Sequence, residues 1–284
     1  MTMRDLEQTS DARVVLMVST YAKVARFVPL IRETLAETWP GHPSLRFLTD
    51  GGIEGDDVIV GRQREFVPLM VEGLARIRAE FPAASHVFHM LEDHCPLRRC
   101  DEARIKAGMR AGVDHDLAAV AFLTYAWPWN FGSELKEFGK ESFLVLPLAY
   151  FRYFQVQPTL WRIDYLEKIL AASMRLGITD PWNFEALPIP DRPHGGEILP
   201  EAEQHYISLY RWPTVHHGFL TQGKIHDQAI DFADRTVVRS LRAALIKDAA
   251  GRNSEVAYRS YRAAKWMRRL PARVHNKLKP PGSR

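Results

Sequence analysis

Residues 14–39, VVLMVSTYAKVARFVPLIRETLAETW, decide the fold class. Val14 to Ser19 is an apolar, β-branched-rich run of buried-strand length. After Thr20-Tyr21, the residues Val24, Phe27, Val28, Ile31, Leu35 and Trp39 recur at helical spacing. The stretch predicts strand, loop, helix. Outward from it the unit repeats. Leu45 to Thr49 (LRFLT) predicts a second strand closed by Asp50-Gly51-Gly52, and Phe66, Leu69, Met70, Leu74 and Ile77 share one face of a helix over 65–81. His86 to Leu91 (HVFHML) predicts a third strand, 101–111 a short helix and 117–123 (LAAVAFL) a fourth strand. Phe143 to Leu148 predicts another strand, and Arg162 to Leu176 a helix with Tyr165, Leu166, Ile169 and Leu170 inward. Strand-like residues resume at 205–212 after a Pro/Gly-rich loop over 188–200. Strands alternating with helices imply an α/β fold, Rossmann-like, with a mainly parallel sheet and helices on both faces.

The bulk numbers agree with an enzyme-sized globular chain. At 284 residues and 46% hydrophobic it can fill a sizeable core, and the charged fraction of 25% is that of ordinary folded domains. The polar start MTMRDLEQTSDAR lacks the basic-then-apolar pattern of a secretory signal, and no run of about 18 uncharged apolar residues follows. A cytoplasmic protein is therefore expected. Cys95 and Cys100 stand outside any zinc-ligand spacing and read as free thiols. The net charge of +4 is uneven, since residues 252–284 carry ten Lys/Arg against one acid, Glu255.

The sharpest chemical signal is Leu91-Glu92-Asp93-His94, two acids and a histidine at the end of the third predicted strand. Ligands of open α/β sheets sit outside strand carboxyl ends, and adjacent carboxylates there can hold a divalent cation against a diphosphate. The plain alternative is that these acids cap the next helix. Aromatic residues crowd into 125–131, with Trp127 and Trp129, and into 150–154, as pocket walls or an interface would require.

The chain resembles bacterial glycosyltransferases of the GT-A type, including families from polysaccharide gene clusters. The resemblance rests on VVLMVSTY ending a first strand at the nucleotide and on the acidic strand end. Further on, it rests on Gln157-Pro158-Thr159-Leu160-Trp161 running to Leu166, on Pro181-Trp182-Asn183-Phe184-Glu185, and on Gly218 to Gly223-Lys224. It spans roughly 14–224. The acidic motif departs from the family's Asp-x-Asp, which leaves dependence on Mn²⁺ or Mg²⁺ open.

The resemblance implies transfer of a sugar from a nucleotide-diphosphate donor to a glycan or lipid-linked acceptor in surface polysaccharide synthesis. It implies a GT-A-like catalytic domain over 13–250, after a flexible 1–12 and before a basic amphipathic helix and tail over 251–284. Asp93 would bind the metal, and Glu92 would support it or orient the ribose. Ser19, Thr20, Tyr21 and Asp50 would meet base and ribose, and Arg62, Arg64 and Lys224 the diphosphate. Glu185, next to Trp182 and Phe184, is the candidate base. Gln157, Trp127, Trp161, Trp182 and His217 are candidate acceptor contacts, sugar faces stacking on indoles. His216 is a further candidate contact, although a surface histidine pair is the plainer reading. The segment 255–270, with Tyr258, Tyr261 and Trp266 among Arg259, Arg262 and Lys265, suits an in-plane anchor on an anionic membrane, or a helix docked on the domain. No nucleic-acid recognition motif is present. Two other readings remain at this stage: an inactive GT-A-like glycan-binding scaffold, and a metal-dependent phosphoryl hydrolase or transferase, which would want more carboxylates or histidines than the acidic strand end offers.

Overall fold

The computed structural model describes residues 12–122, 134–147, 153–187 and 202–214, with the backbone of 220–221 and 224–225. Among these residues the chain forms eleven strands and five α-helices. The first half is β1 (Val14–Ser19), α1 (Val28–Thr38), β2 (Ser44–Thr49), β3 (Val58–Val60), α2 (Phe66–Glu80), β4 (His86–Leu91) and α3 (Glu102–Asp114). The second is β5 (Ala119–Ala121), β6 (Leu135–Phe138), β7 (Glu141–Val145), β8 (Thr159–Arg162), α4 (Ile163–Arg175), α5 (Pro181–Glu185), β9 (His205–Ser208), β10 (Leu220–Thr221) and β11 (Lys224–Ile225). Single 3₁₀ turns lie at Ala25–Phe27 and Glu92–His94.

Nine strands form one sheet in the order β3-β2-β1-β4-β8-β5-β9-β7-β6, and β10 pairs with β11 apart from it. The first four are parallel, with β1 between β2 and β4. The path β1-α1-β2 moves toward one edge, whereas β3-α2-β4 returns past β1. Right-handed crossovers in opposite directions place their helices on opposite faces. Accordingly Val28, Ile31 and Leu35 of α1 pack with Val14, Leu16 and Val18, joined by Ile105 and Met109 of α3. Leu69, Met70, Leu74 and Ile77 of α2 pack instead with Val15 and Met17, joined by Leu166, Ile169 and Leu170 of α4. Every residue of β1 is buried, as a strand covered on both sides requires.

The expectation of a mainly parallel sheet holds around β1, while the sheet as a whole is mixed. Beyond β4 the sheet is mixed, because β8 runs antiparallel to both β4 and β5, and β7 antiparallel to β9 and β6. There β5, β9 and β6 still run in the direction of the first four strands, and β5 and β9 are paired in parallel. The chain enters β8 from the carboxyl end of β4, since Thr159 pairs with His89 and Arg162 with His86, and α4 then climbs back outside the sheet. Strands β6 and β7 form a hairpin turning at Gly139, whose φ of 64° suits a tight two-residue loop. Cys95 and Cys100 are free and buried, as expected. Among the described residues no helix is long and apolar enough to cross a membrane. Residues 1–11 of the expected flexible start 1–12, the basic segment 251–284, the aromatic cluster 125–131 and residues 150–152 of the cluster 150–154 lie outside the described residues, while Tyr153 and Phe154 are core.

Candidate functional site

The order β2-β1-β4 makes the gap between β1 and β4 the place where successive connections part to opposite faces, and ligands of open α/β sheets bind at the carboxyl ends beside such a gap. Ser19 is in register with Leu91, so Thr20-Tyr21 and Glu92-Asp93-His94 emerge side by side. Two further acids join them. Asp50, after β2, accepts a 2.6 Å hydrogen bond from the Ala22 N–H and ties its turn to the loop after β1. A Cβ on Gly52 would lie 3.2 Å from Ala22 Cα, at a φ of 79°, so only glycine suits this approach. Asp180, before α5, caps that helix by accepting from Trp182 N and Asn183 N, both at 3.0 Å.

The electrostatics of these acids meet at Tyr21. Burial, then Glu92, Asp50, Asp180 and Asp93, push its phenol well above the ordinary tyrosine value. Burial also raises Glu92 and Asp93 above the carboxylate range, and the charge of Asp93 raises Glu92 further. Asp180 goes the other way: burial would raise it, but the hydrogen bonds from Asn183 and Trp182 outweigh burial and hold it low and ionised. His94 is 7% exposed, and burial keeps its ring neutral, with a pKa lowered to about 4. Its Nε2 stands 3.8 Å from Asp93 Oδ1. Asp93 Oδ1, His94 Nδ1 and the hydroxyl of the fully buried Thr20 have no hydrogen-bond partner among the described residues.

The loop after the acids is fixed from the chain's later part. Trp212 Nε1 donates to the His94 carbonyl at 2.8 Å, Leu97 N donates to the Pro213 carbonyl at 2.8 Å, and Tyr210 Oη accepts from Asp101 N at 3.0 Å. Trp212 is itself locked among Trp39, Phe88 and Phe122. Strand β10 packs against the Glu92–His94 turn, bringing the β10–β11 hairpin and hence the backbone of Lys224 to this end of the sheet. The Lys224 side chain, Trp127, His216 and His217 lie outside the described residues.

Other residues singled out from the sequence fall into different surroundings. Ser19 ends β1 but points to the α2 face, donating to Met70 Sδ at 3.2 Å with its oxygen 2.9 Å from His89 Nε2. Arg62 and Arg64 are exposed on the loop after β3, where Arg62 N donates to Glu72 at 2.6 Å. Gln157 is buried, its carbonyl accepting from Thr159 Oγ1. Trp161, a candidate acceptor contact, lies in the core: it is 1% exposed, paired across the sheet with Val87 and Ala119, and stacked near Tyr165 and His205. The candidate base Glu185 is enclosed as well. Glu185 is 3% exposed and accepts from Val156 N at 3.3 Å, Phe184 is core, and Trp182 is 71% exposed. Asp180 and the Trp212 clamp escaped the sequence reading, although Asp180-Pro181 is the pattern of a capped helix start.

The site can do three things chemically. It can present a carboxylate oxygen to a hard cation, offer a phenol face at the end of β1, and show an exposed indole at the rim. Among the described residues no three His, Cys, Asp or Glu side chains gather as a cation cage. Compared with known proteins, the chain matches no family model and no curated protein.

Proposed function

We propose that the chain is a nucleotide-sugar-dependent glycosyltransferase with a GT-A-like sheet, moving a sugar onto a glycan or lipid-linked acceptor. The observation that carries this reading is the unpaired Asp93 Oδ1 beside Glu92 and Tyr21 at the parting of the parallel strands. A buried carboxylate oxygen without a partner costs free energy unless a ligand supplies one. Asp93 fits an ion such as Mg²⁺ or Mn²⁺, which takes one or two protein carboxylates and fills its remaining positions from phosphate and water. When bound, such an ion offsets the charge of a leaving diphosphate. Tyr21 then lies under the base or ribose, with Asp50 bracing its loop. Proton uptake from an acceptor hydroxyl falls to Glu92, whose raised carboxyl suits it, in place of the enclosed Glu185. The reading places the protein in the cytoplasm, with the basic 251–284 segment holding it at an anionic membrane face beside a lipid-linked acceptor.

The enclosure of Glu185 favours a second reading, a glycan-binding scaffold without turnover. Thermal shifts with UDP, GDP, CMP and dTDP, with and without Mg²⁺ or Mn²⁺, separate the two. A ligand at 100 times its Kd stabilises by about 2.7 kcal/mol. The transferase reading expects a metal-dependent shift with one nucleotide, lost in Asp93→Ala, together with turnover of the matching nucleotide sugar. No shift with any nucleotide would sink it.

A further inference from the structure

We propose that Trp182 and Asp180 form a sugar platform at the rim of this site that takes a neutral or amino-bearing ring and turns away a uronic acid. Only the part the sugar plays, as acceptor, rests on the transferase reading.

The platform's backbone is held despite its size. A five-residue helix has no stability alone. Helix α5 is held by Phe184, wedged between Phe66 at 5.8 Å and Phe154 at 5.9 Å, by Glu185 on Val156 N, and by Val67 N donating to the Thr179 carbonyl at 2.9 Å. Asp180 closes its first turn, accepting from Asn183 Nδ2 as well as from two backbone N–H groups. The backbone bearing Trp182 is thus held, and its side chain is 71% exposed, while Trp39, Trp161 and Trp212 are core. An exposed indole on a held backbone is a side chain on which the apolar face of a sugar can stack, with ring hydroxyls donating to a neighbouring carboxylate.

Charge then selects among sugars. Phe184 packs on Phe66, which lies 6.1 Å from His89 near the carboxyl end of β4, so α5 stands at the same end of the sheet as the acids. Asp180, two residues before Trp182, is held ionised by its hydrogen bonds, and a sugar on the indole meets that carboxylate directly. An ammonium group is attracted there and a ring carboxylate repelled.

The test uses the full chain labelled with ¹⁵N-tryptophan, the Trp182 indole signal being assigned by its loss in Trp182→Phe. Methyl glycosides of glucose, glucosamine and glucuronic acid share one ring and differ in charge. The glucoside and glucosaminide are expected to move the Trp182 signal at lower concentration than the glucuronide does. Asp180→Asn keeps the cap, since asparagine caps as well as aspartate, and should narrow the gap between glucoside and glucuronide roughly fivefold. Trp182→Ala should weaken all three, measured by saturation-transfer NMR. A glucuronide binding as well as the glucoside, the outcome exposed Arg64 at the foot of α2 would bring about, overturns the proposal. So does the absence of any glycoside response at Trp182. Nucleotide shifts on the same sample keep the two readings apart: nucleotide binding without a glycoside response sinks the platform alone, and the expected glycoside order without nucleotide binding sinks the transferase alone.

Discussion

Two groups of buried polar side chains lie in this sheet, one around His205 in the mixed half and one around Glu92, Asp93 and His94 at the parting of the parallel strands. In the first every described polar atom is matched. His205 Nδ1 faces the Tyr153 carbonyl at 3.0 Å, so that nitrogen carries the proton, and Nε2 accepts from the Tyr165 hydroxyl at 3.0 Å. Tyr165 Oη in turn accepts from Glu203 N, and Tyr153 Oη accepts from His205 N while donating to the Glu203 carbonyl. The ring also stacks on Tyr153 at 4.0 Å. In the second group a carboxylate oxygen, a ring nitrogen and the neighbouring Thr20 hydroxyl are left over. His205, Thr20 and His94 are all enclosed, and Asp93 keeps 23% of its side chain exposed, but it is in satisfaction that the two groups differ most. A closed network specifies a fold, whereas an open one holds binding capacity in reserve.

The largest effect should come from breaking the closed group. His205→Ala removes a buried ring and strands the Tyr153 carbonyl and the Tyr165 hydroxyl, so urea unfolding should show a loss of about 3–4 kcal/mol. The nucleotide-induced shift of whatever remains folded should be unchanged. A loss under about 1 kcal/mol would mean that the network is replaceable and that the contrast with the site fails.

The next effect has the opposite sign. Replacing both acids, Glu92→Gln with Asp93→Asn, removes two partly buried charges and should stabilise the apo protein by about 1–2 kcal/mol above neutral pH while abolishing metal-dependent nucleotide binding. The pH dependence follows from the direction of the shifts. A carboxyl raised in the fold holds its proton where the unfolded chain has lost it, so its contribution to stability falls as pH rises from the ordinary carboxylate range of about 4. The histidines oppose this. His89 and His205, lowered to about 3, and His86 and His94, lowered to about 4, cost stability as pH falls through the ordinary histidine value of about 6.5. Because both proteins share the histidines, the stability gap between variant and wild type isolates the acids and should widen as pH rises. A gap that is flat with pH would show that the acids are not strained.

Arg162 tests the same contrast on the structural side. It is linked to Asp164 at 2.7 Å, Glu203 at 2.6 Å and Asp116 at 3.4 Å, and so fastens the segment bearing His205 to α4. Arg162→Met keeps much of the stem and should cost about 1 kcal/mol by urea unfolding, reduced by high salt, with no change in ligand binding.

These outcomes also bear on how much the sequence disclosed. Strands β1 and β4 were legible to the residue because doubly covered strands are unbroken apolar runs. Strand β8 was not, since Thr159–Arg162 runs straight into α4 and its alternation is lost beside the helical period. Strand β3 is three residues long, and β6 carries Lys136 and Glu137 as an exposed edge does. At the site, Glu92 and Asp93 could be found from their position at a strand end. The enclosure of Glu185 was not legible, because it comes from Val156, a segment distant along the chain, and not from neighbours in sequence.

Ser19 gives the smallest and sharpest test, because it stands at the open site by position but belongs to the closed class by contacts. Its neighbours on β1 alternate, and the odd-numbered side faces α2, where Met70 and His89 use its hydroxyl. The hydroxyl of Thr20, one residue on, has no hydrogen-bond partner among the described residues. Ser19→Ala should therefore cost about 1 kcal/mol, by stranding His89 Nε2, and leave nucleotide binding unchanged. Thr20→Val, which exchanges an unpaired hydroxyl for a methyl of similar shape, should be neutral or slightly stabilising in the apo protein and weaken the nucleotide-induced shift. If the two results were exchanged, the ligand would approach from the α2 face, and Ser19 with His89 would replace Thr20 and Asp93 as the floor of the site.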